Sequence, residues 1–438
     1  MGRTWRRRKN RGKKSPISKP LDYEGTIVNL KRWMTKCNWY NGTRLKLSYF
    51  TNTGRGITCD RNLKIKDTLI EVPYELMITL GSFDVLNEIV TTKGGKLAIH
   101  DLLSLFLVIE RHRGESSNWK FYLDSLPNEL PNLPWLSTSC EIDVLPYSLR
   151  ETVLNRRKNF ELSWKRSKES INSRWKCECC QTVGHRVITL NSFTWAYVMV
   201  NTRAVYVDPD IVRELSSSAI SKWNDVLSDE PSMALCPFLD MFNHSNNAET
   251  SANLVKSEGK WMYKLITLLP SKKHEEIFIS YGPHDNIKLL CEYGFFIPHQ
   301  DLDFIRWKFS DVLDVTKIKL NERQYKFIKK RKLELDESLY IDSSGLSFNL
   351  KATLYVILNP FVADWCSCIF GDFSSINLIE MQDLCHKLLK WKAYKLQDEL
   401  ECMQKYESEV SENFKNVLKY QNYILMLVTK FCANFCVK

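Results

Sequence analysis

The chain has no apolar run long enough to cross a bilayer. Its longest, Tyr423 to Val437, is interrupted by Lys430 and Asn434 and falls short of the ~20 residues a spanning helix needs, so no membrane association is expected. The first twenty residues, MGRTWRRRKNRGKKSPISKP, lack the apolar stretch of a secretory signal and contain no acid. They carry nine positive residues, and removing those nine from the formal +11 of the whole chain leaves +2 for residues 21–438. The basic character therefore belongs to a leader, expected to be a disordered tail at 1–20, and the body is nearly neutral. Such a run reads either as a nuclear-import or nucleic-acid patch or as a solubilising arm. No repeat of 20–50 residues is found, which excludes solenoids and propellers. Fourteen cysteines without a secretory signal point to a reducing compartment and free thiols. Cys177-Glu178-Cys179-Cys180, with His185 five residues on, has no second cysteine pair nearby of the kind zinc sites use. No metal ligand is assigned, and metal binding by Cys177, Cys179, Cys180 and His185 stays open.

What is present suits a large α+β protein. At 438 residues, 44% hydrophobic and 12% aromatic, two or three domains with a sizeable core are expected. Ile27, Leu30, Trp33 and Met34 fall at helical spacing; residues 45–50 and 68–72 alternate as strands on either side of the glycine turn at Gly54-Arg55-Gly56. A wide apolar helical face begins at Leu97, and 141–173 is charged and helical. Residues 174–187 are expected as an irregular exposed loop, 195–207 as a strand, and 208–229 as a polar loop. Strands are expected at 261–269 and 276–280, with helices at 322–331, 350–358, 377–409 and 411–437. The acidic residues between Asp398 and Glu412 read as a solvated helix face.

Two polar clusters each follow a strongly apolar run: Asp240-Met241-Phe242-Asn243-His244-Ser245, and Tyr281-Gly282-Pro283-His284-Asp285-Asn286. That placement puts both at the ends of buried elements, where side chains can converge on a ligand. His284 and Asp285 read as a surface pair, and His274-Glu275-Glu276 as a polar turn.

Gly54-Arg55-Gly56, Asn243-His244-Ser245, Tyr281-Gly282 with Asn286, and Gly294-Phe295 together resemble, in order and spacing, the motif set of the SET-domain methyltransferases. A long helical insert and a helical C-terminal third resemble the Rubisco large-subunit methyltransferase class within that family. The resemblance runs over roughly residues 25–430. It implies a SET domain in two parts, 21–96 and 191–298, a helical insert at 97–190, and an all-α substrate-binding domain at 299–438. Residues 298–330 contain no cysteine, so the zinc segment that follows many histone-modifying SET domains is missing.

The resemblance implies S-adenosylmethionine as cofactor. Gly54, Arg55 and Gly56 would lie against its methionine part; Arg203 would pair with its carboxylate. Asn243 and His244 would hold the amino group and adenine edge largely through main-chain atoms, with Asp240 fixing the motif. Tyr293, Gly294 and Phe295 would close the adenine side, and Tyr281 would be the catalytic tyrosine. The implied activity is protein-lysine N-methylation of a partner with an exposed lysine, a histone tail among them, in nucleus and cytoplasm. Two other readings are a protein-histidine methyltransferase and a non-catalytic chromatin or RNA adaptor using the basic tail.

Overall fold

Alternation builds the first strands: in Leu45–Phe50, Leu45, Leu47 and Phe50 are buried while Lys46 and Tyr49 face water. The computed structural model describes residues 19–216, 220–298, 303–370, 378–406 and 410–436. Most of the basic leader, residues 1–18, lies outside the described residues, so its expected disorder is not addressed. Lys19 and Pro20 pair with Tyr49 and Ser48. The α+β class expected from sequence is the class observed. Two units divide the chain: one from the residues up to Leu130 with Lys158–Pro283, the other from Pro131–Arg157 with His284 onward.

In the first unit a five-stranded sheet has the order β1-β2-β3-β10-β7, with β1 Lys19–Pro20, β2 Leu45–Phe50, β3 Gly54–Cys59, β7 Asn243–His244 and β10 Glu276–Ile279. All its pairings are antiparallel except β10 with β7, where Phe278 faces Asn243 and Ile279 faces His244. A second sheet, β4-β9-β8, joins Thr68–Pro73 (β4) to the hairpin of Thr250–Ser257 (β8) and Lys260–Thr267 (β9). Glu258 (φ 49°) and Gly259 (φ 80°) turn that hairpin, the left-handed pair that matches the twist of its strands. Ala204–Tyr206 (β5) pairs with Met233–Leu235 (β6).

The amphipathic helix Gly25–Lys36 (α1) buries Ile27, Leu30 and Met34. Ile99–Arg113 (α2) is buried along most of its length and packs on Leu190–Arg203 (α4); between them in sequence lies Tyr147–Ser170 (α3). Residues 195–207 were expected as a strand, and most of them are helical instead. Thr189 and Ser192 cap α4 reciprocally, and Phe193, Ala196, Val200 and their neighbours bury one side of it. A short apolar run reads equally well as strand or helix, and here the cap decides. Residues 208–229, expected as a loop, carry the short helices Pro209–Leu215 and Ile220–Val226. Residues 174–187 form a pinned turn with Cys177, Gly184 and Val187 buried, and only part of that stretch is exposed.

The second unit holds the sheet Phe304–Arg306, Tyr340–Asp342 and Gly345–Leu346 (β11, β12, β13). Its helices include Asn286–Tyr293 (α5), Phe309–Thr316 (α6), Glu322–Lys330 (α7), Phe348–Leu358 (α8), and the long pair Leu378–Gln404 (α9) and Glu412–Cys436 (α10). The core here is centred on Trp307, Leu350, Leu354, Val356 and Leu388. The segmentation expected from sequence ended the SET part at 298, whereas contacts place 284–298 with the helical unit. Gly294 shows why: a Cβ there would lie 3.0 Å from the backbone of Asn132, and Asn416 donates to its carbonyl at 2.7 Å. Among the described residues no helix is long and apolar enough to cross a membrane.

Candidate functional site

Parallel pairing of β7 and β10 brings Tyr281, the head of the second polar cluster, beside the end of the first. His244 ends β7, Tyr281 follows β10 by two residues, and their rings stack with centroids 5.0 Å apart. The Tyr281 N–H donates to His244 Nδ1 at 3.1 Å, so Nδ1 is the accepting nitrogen; Nε2, 2.9 Å from Asn246 Oδ1, then carries the proton of a neutral imidazole. The Tyr281 hydroxyl donates to the Phe242 carbonyl at 2.7 Å. A phenol oxygen and a carbonyl oxygen thus lie together where the second cluster begins.

The glycine turn is tied to the first cluster through Glu276. Thr53 Oγ1 donates to Glu276 Oε2 at 2.6 Å, and Asn243 Nδ2 reaches Glu276 Oε1 and the Arg55 carbonyl, both at 2.8 Å. The NH2 end of the Asn243 side chain is thus committed to fixing the turn. A Cβ at Gly56 would overlap Glu276 Oε1 and come 2.9 Å from Asn243 Nδ2, so any side chain there would displace the carboxylate and amide that hold the turn. Gly54 is selected differently: φ is +72°, and a Cβ there would meet nothing within 4 Å. The backbone is bare at that point, as close approach of a ligand requires. Glu276, read from sequence both as the end of a polar turn and as the first residue of the 276–280 strand, opens β10 and ties the glycine turn to Asn243. Its signal was a carboxylate directly before the apolar run Ile277-Phe278-Ile279.

Arg203, the last residue of α4, points into the same cluster. Its Nη1 donates to the Asp240 carbonyl at 3.1 Å and to Asp240 Oδ2 at 3.0 Å, and the Tyr122 hydroxyl donates to that same oxygen at 3.0 Å. The Asp240 carboxylate is 0% exposed. Burial opposes the Arg203 charge, but Asp240, Tyr122 and Tyr281 more than offset it, and its pKa is raised. Burial and the nearby Arg203 charge lower that of Arg55, whose guanidinium donates to the Ser125 carbonyl at 3.1 and 3.2 Å. Burial raises Glu276, with Asn243 and Thr53 pulling back. Arg203 Nε and Asp240 Oδ1 are buried and have no hydrogen-bond partner among the described residues. Such orphans are rare in finished protein structure. Tyr122 carried no signal in the sequence, being one aromatic among several in a helical stretch.

Gly54, Arg55, Gly56, Arg203, Asp240, Asn243, His244 and Tyr281 are therefore gathered in the first unit. Tyr293, Gly294 and Phe295 belong to the second. There Gly294 (φ +79°) terminates α5, Tyr293 stands 6.1 Å from Phe295 between ring centroids, and burial raises the Tyr293 pKa against the opposing Arg156 charge. Asp285 is the cap of α5, accepting from the Lys288 N–H at 2.8 Å. His185 lies on the short helix Gly184–Val187, outside the group in which Cys177, Cys179 and Cys180 meet His112.

The SET domain family model matches residues 54–282. The chain is 30% identical over 395 residues to SET domain-containing protein 4 of Artemia parthenogenetica, across 88% of this chain and 92% of that protein. It is 33% identical over 299 residues to SET domain-containing protein 4 of Mus musculus, across 67% of this chain and 64% of that protein. At lower identity it is similar to ribosomal lysine N-methyltransferase set11 of Schizosaccharomyces pombe (23%; 64% and 66% covered) and to actin-histidine N-methyltransferase of Danio rerio (22%; 65% and 44%). Among solved structures, that of the SET domain of LSMT bound to lysine and AdoHcy superposes with a TM-score of 0.55 at 18% identity, covering 94% of this chain and 91% of that one.

Proposed function

Because the chain belongs to the SET-domain family, we propose that it is an S-adenosylmethionine-dependent protein-lysine N-methyltransferase. The observation that carries this reading is the Tyr281 hydroxyl, held against the Phe242 carbonyl at the junction of β7 and β10, beside the buried Arg203–Asp240 pair. The cofactor fits the donors present: an arginine whose buried Nε has no partner among the described residues, a bare turn at Gly54, and a turn held by Glu276 and Asn243. Arg203 would receive its carboxylate, with Asp240 fixing the guanidinium plane, and the main chain at Gly54–Gly56 and Asn243 would take the rest of the methionine part. The cofactor supplies a methyl group made electrophilic by sulfonium, to be transferred to a neutral nitrogen.

The residues of the chain then have two tasks. The Tyr281 and Phe242 oxygens, held together by their own hydrogen bond, would offer acceptors for weak C–H···O contacts from the transferring methyl and so favour its alignment with the acceptor nitrogen. The acceptor lysine must lose its proton, which at neutral pH costs about 4–5 kcal/mol from an unperturbed pKa of ~10.4. The neutral His244 is engaged on both nitrogens and supplies no base. A lysine acceptor is supported by the lysine methyltransferase named among the relatives; the actin-histidine enzymes name the competing acceptor.

The test is labelled-methyl transfer to whole-cell protein, with histone-tail peptides as a separate arm and mass spectrometry of the product. Tyr281→Phe keeps the ring on His244 but removes the oxygen. Methyl transfer should fall by about 100-fold or more while cofactor binding by calorimetry survives. Full activity in that variant overturns the role of Tyr281, and a methylhistidine product overturns the lysine acceptor.

A further inference from the structure

The turn at 174–187 carries three cysteines that methyl transfer does not use. Its two ends are pinned by an antiparallel bridge between Lys176 and Val183 and by Gly184 N–H donating to the Trp175 carbonyl at 3.2 Å. Within it, the Cys177 N–H donates to the Thr182 carbonyl at 2.9 Å and the Gln181 N–H to the Cys177 carbonyl at 2.8 Å. Gln181 takes a left-handed φ of 58° to make that return. Gly184 is buried against Ile171 and Trp175, and a Cβ there would press on them at 3.1 and 3.2 Å. The backbone is thus shaped before any side chain is considered, and it turns Cys177, Cys179 and Cys180 toward one point.

The fourth group comes from 65 positions upstream of Cys177. His112, the penultimate residue of α2, places Nε2 3.2 Å from Cys180 Sγ, while Cys177 Sγ and Cys179 Sγ are 3.0 Å apart. All four donor atoms lie within 4.8 Å of one another. In a tetrahedral zinc site with Zn–S of about 2.3 Å and Zn–N of about 2.1 Å, ligand atoms stand about 3.5–3.8 Å apart. The observed separations bracket those edges, so small side-chain rotations close the site without moving the turn. Spacing alone argued against metal, because the cluster has no second cysteine pair; the fold completes the set with a helix residue.

We propose that His112, Cys177, Cys179 and Cys180 bind a structural zinc ion that fastens the 171–189 connection to the end of α2. Soft thiolates with one imidazole favour zinc over the hard cations, and four protein donors leave no open position for catalysis. Binding replaces three S–H protons, released to solvent, with three S–Zn bonds, and neutral His112 gives its Nε2 lone pair. The bound site carries a net charge of −1. Nothing in this assignment depends on the methyltransferase reading.

The full chain, purified reduced and without chelator, should contain about one zinc per molecule by elemental mass spectrometry. Titration of the stripped protein with cobalt(II) should give the visible bands of a tetrahedral thiolate site. The double variant Cys179→Ser with Cys180→Ser should lose both signals, His112→Ala should weaken metal affinity by about tenfold or more, and Cys140→Ser, an exposed thiol elsewhere, should change neither. Circular dichroism on each variant separates loss of metal from loss of fold. A reduced, folded parent that holds less than about a tenth of an equivalent of zinc and gives no cobalt bands overturns the proposal. So does a Cys177–Cys179 disulfide found in the metal-free protein after alkylation in the cell lysate.

Discussion

The Arg203–Tyr281 cluster and the cysteine turn lie in the same unit and are built in opposite ways. The first draws on five stretches between Thr53 and Tyr281, and its groups already hold one another: Asp240 holds Arg203, Glu276 holds Thr53 and Asn243, His244 holds Tyr281. The second is one short turn plus one helix residue, and its donor atoms are aimed mainly at each other. The difference shows where the order of a site comes from. One is organised by internal polar contacts before its ligand arrives. The other is shaped in backbone but left open in side chains, so that an ion would complete it.

The sharpest way to break the comparison is to remove the partner from the first site. Asp240→Ala leaves the Arg203 guanidinium buried with no carboxylate, and unfolding free energy should drop by about 3–5 kcal/mol with cofactor binding lost. Urea denaturation and calorimetry read the two effects separately, and a stable variant that still binds would show that Asp240 positions nothing. At the cysteine turn the corresponding change is removal of the ion. Chelation should lower the parent's stability by about 2–3 kcal/mol relative to a hundredfold excess of metal over its dissociation constant, and should leave the cysteine double variant unmoved. If chelation moves both equally, the turn owes nothing to metal.

Steric substitution should matter less. Gly56→Ala puts a methyl group into Glu276 Oε1 and Asn243 Nδ2. The carboxylate and amide can move but must give up their mutual hydrogen bond, so a loss of about 1–3 kcal/mol is expected, with weaker cofactor binding. Gly54→Ala meets no neighbour and should act through its left-handed backbone alone. If the two alanine variants behave alike, the crowding at Gly56 is not what selects glycine there.

These same residues show how far the sequence could be read. The strands at 45–50, the glycine turn, the two polar clusters and the C-terminal helices were legible because alternation, helical spacing and motif order are local or recur at fixed intervals. Residues 195–207 were misread because a short run of β-branched and aromatic residues serves a buried helix equally well. The strand beginning at Glu276 was legible, but the part that residue plays in the site was not, because a charged residue opening a strand ordinarily faces solvent. Tyr122 and His112 were invisible as partners, for each joins its site only through the packing of a helix that is otherwise core.

Glu276 also gives the smallest and most discriminating test. Burial raises its pKa above the usual carboxylate value, and the hydrogen bonds from Asn243 and Thr53 offset part of that rise. The folded protein therefore binds this proton more tightly than the unfolded chain, where the value is ~4.3. By linkage, the associated stability is fully present below the unfolded value and is lost as pH rises through the folded one. Glu276→Gln keeps an acceptor for Asn243 but cannot titrate, so the variant's stability relative to the parent should grow with pH across the mildly acid range and then level off. Urea denaturation from about pH 4 to about pH 7 reads this directly, and parallel stability curves would show that the carboxylate is not desolvated. A levelling difference places the strain of the first site at the residue that ties its turn to its strand, a strain the cysteine turn, with no buried carboxylate among its four donors, should not show.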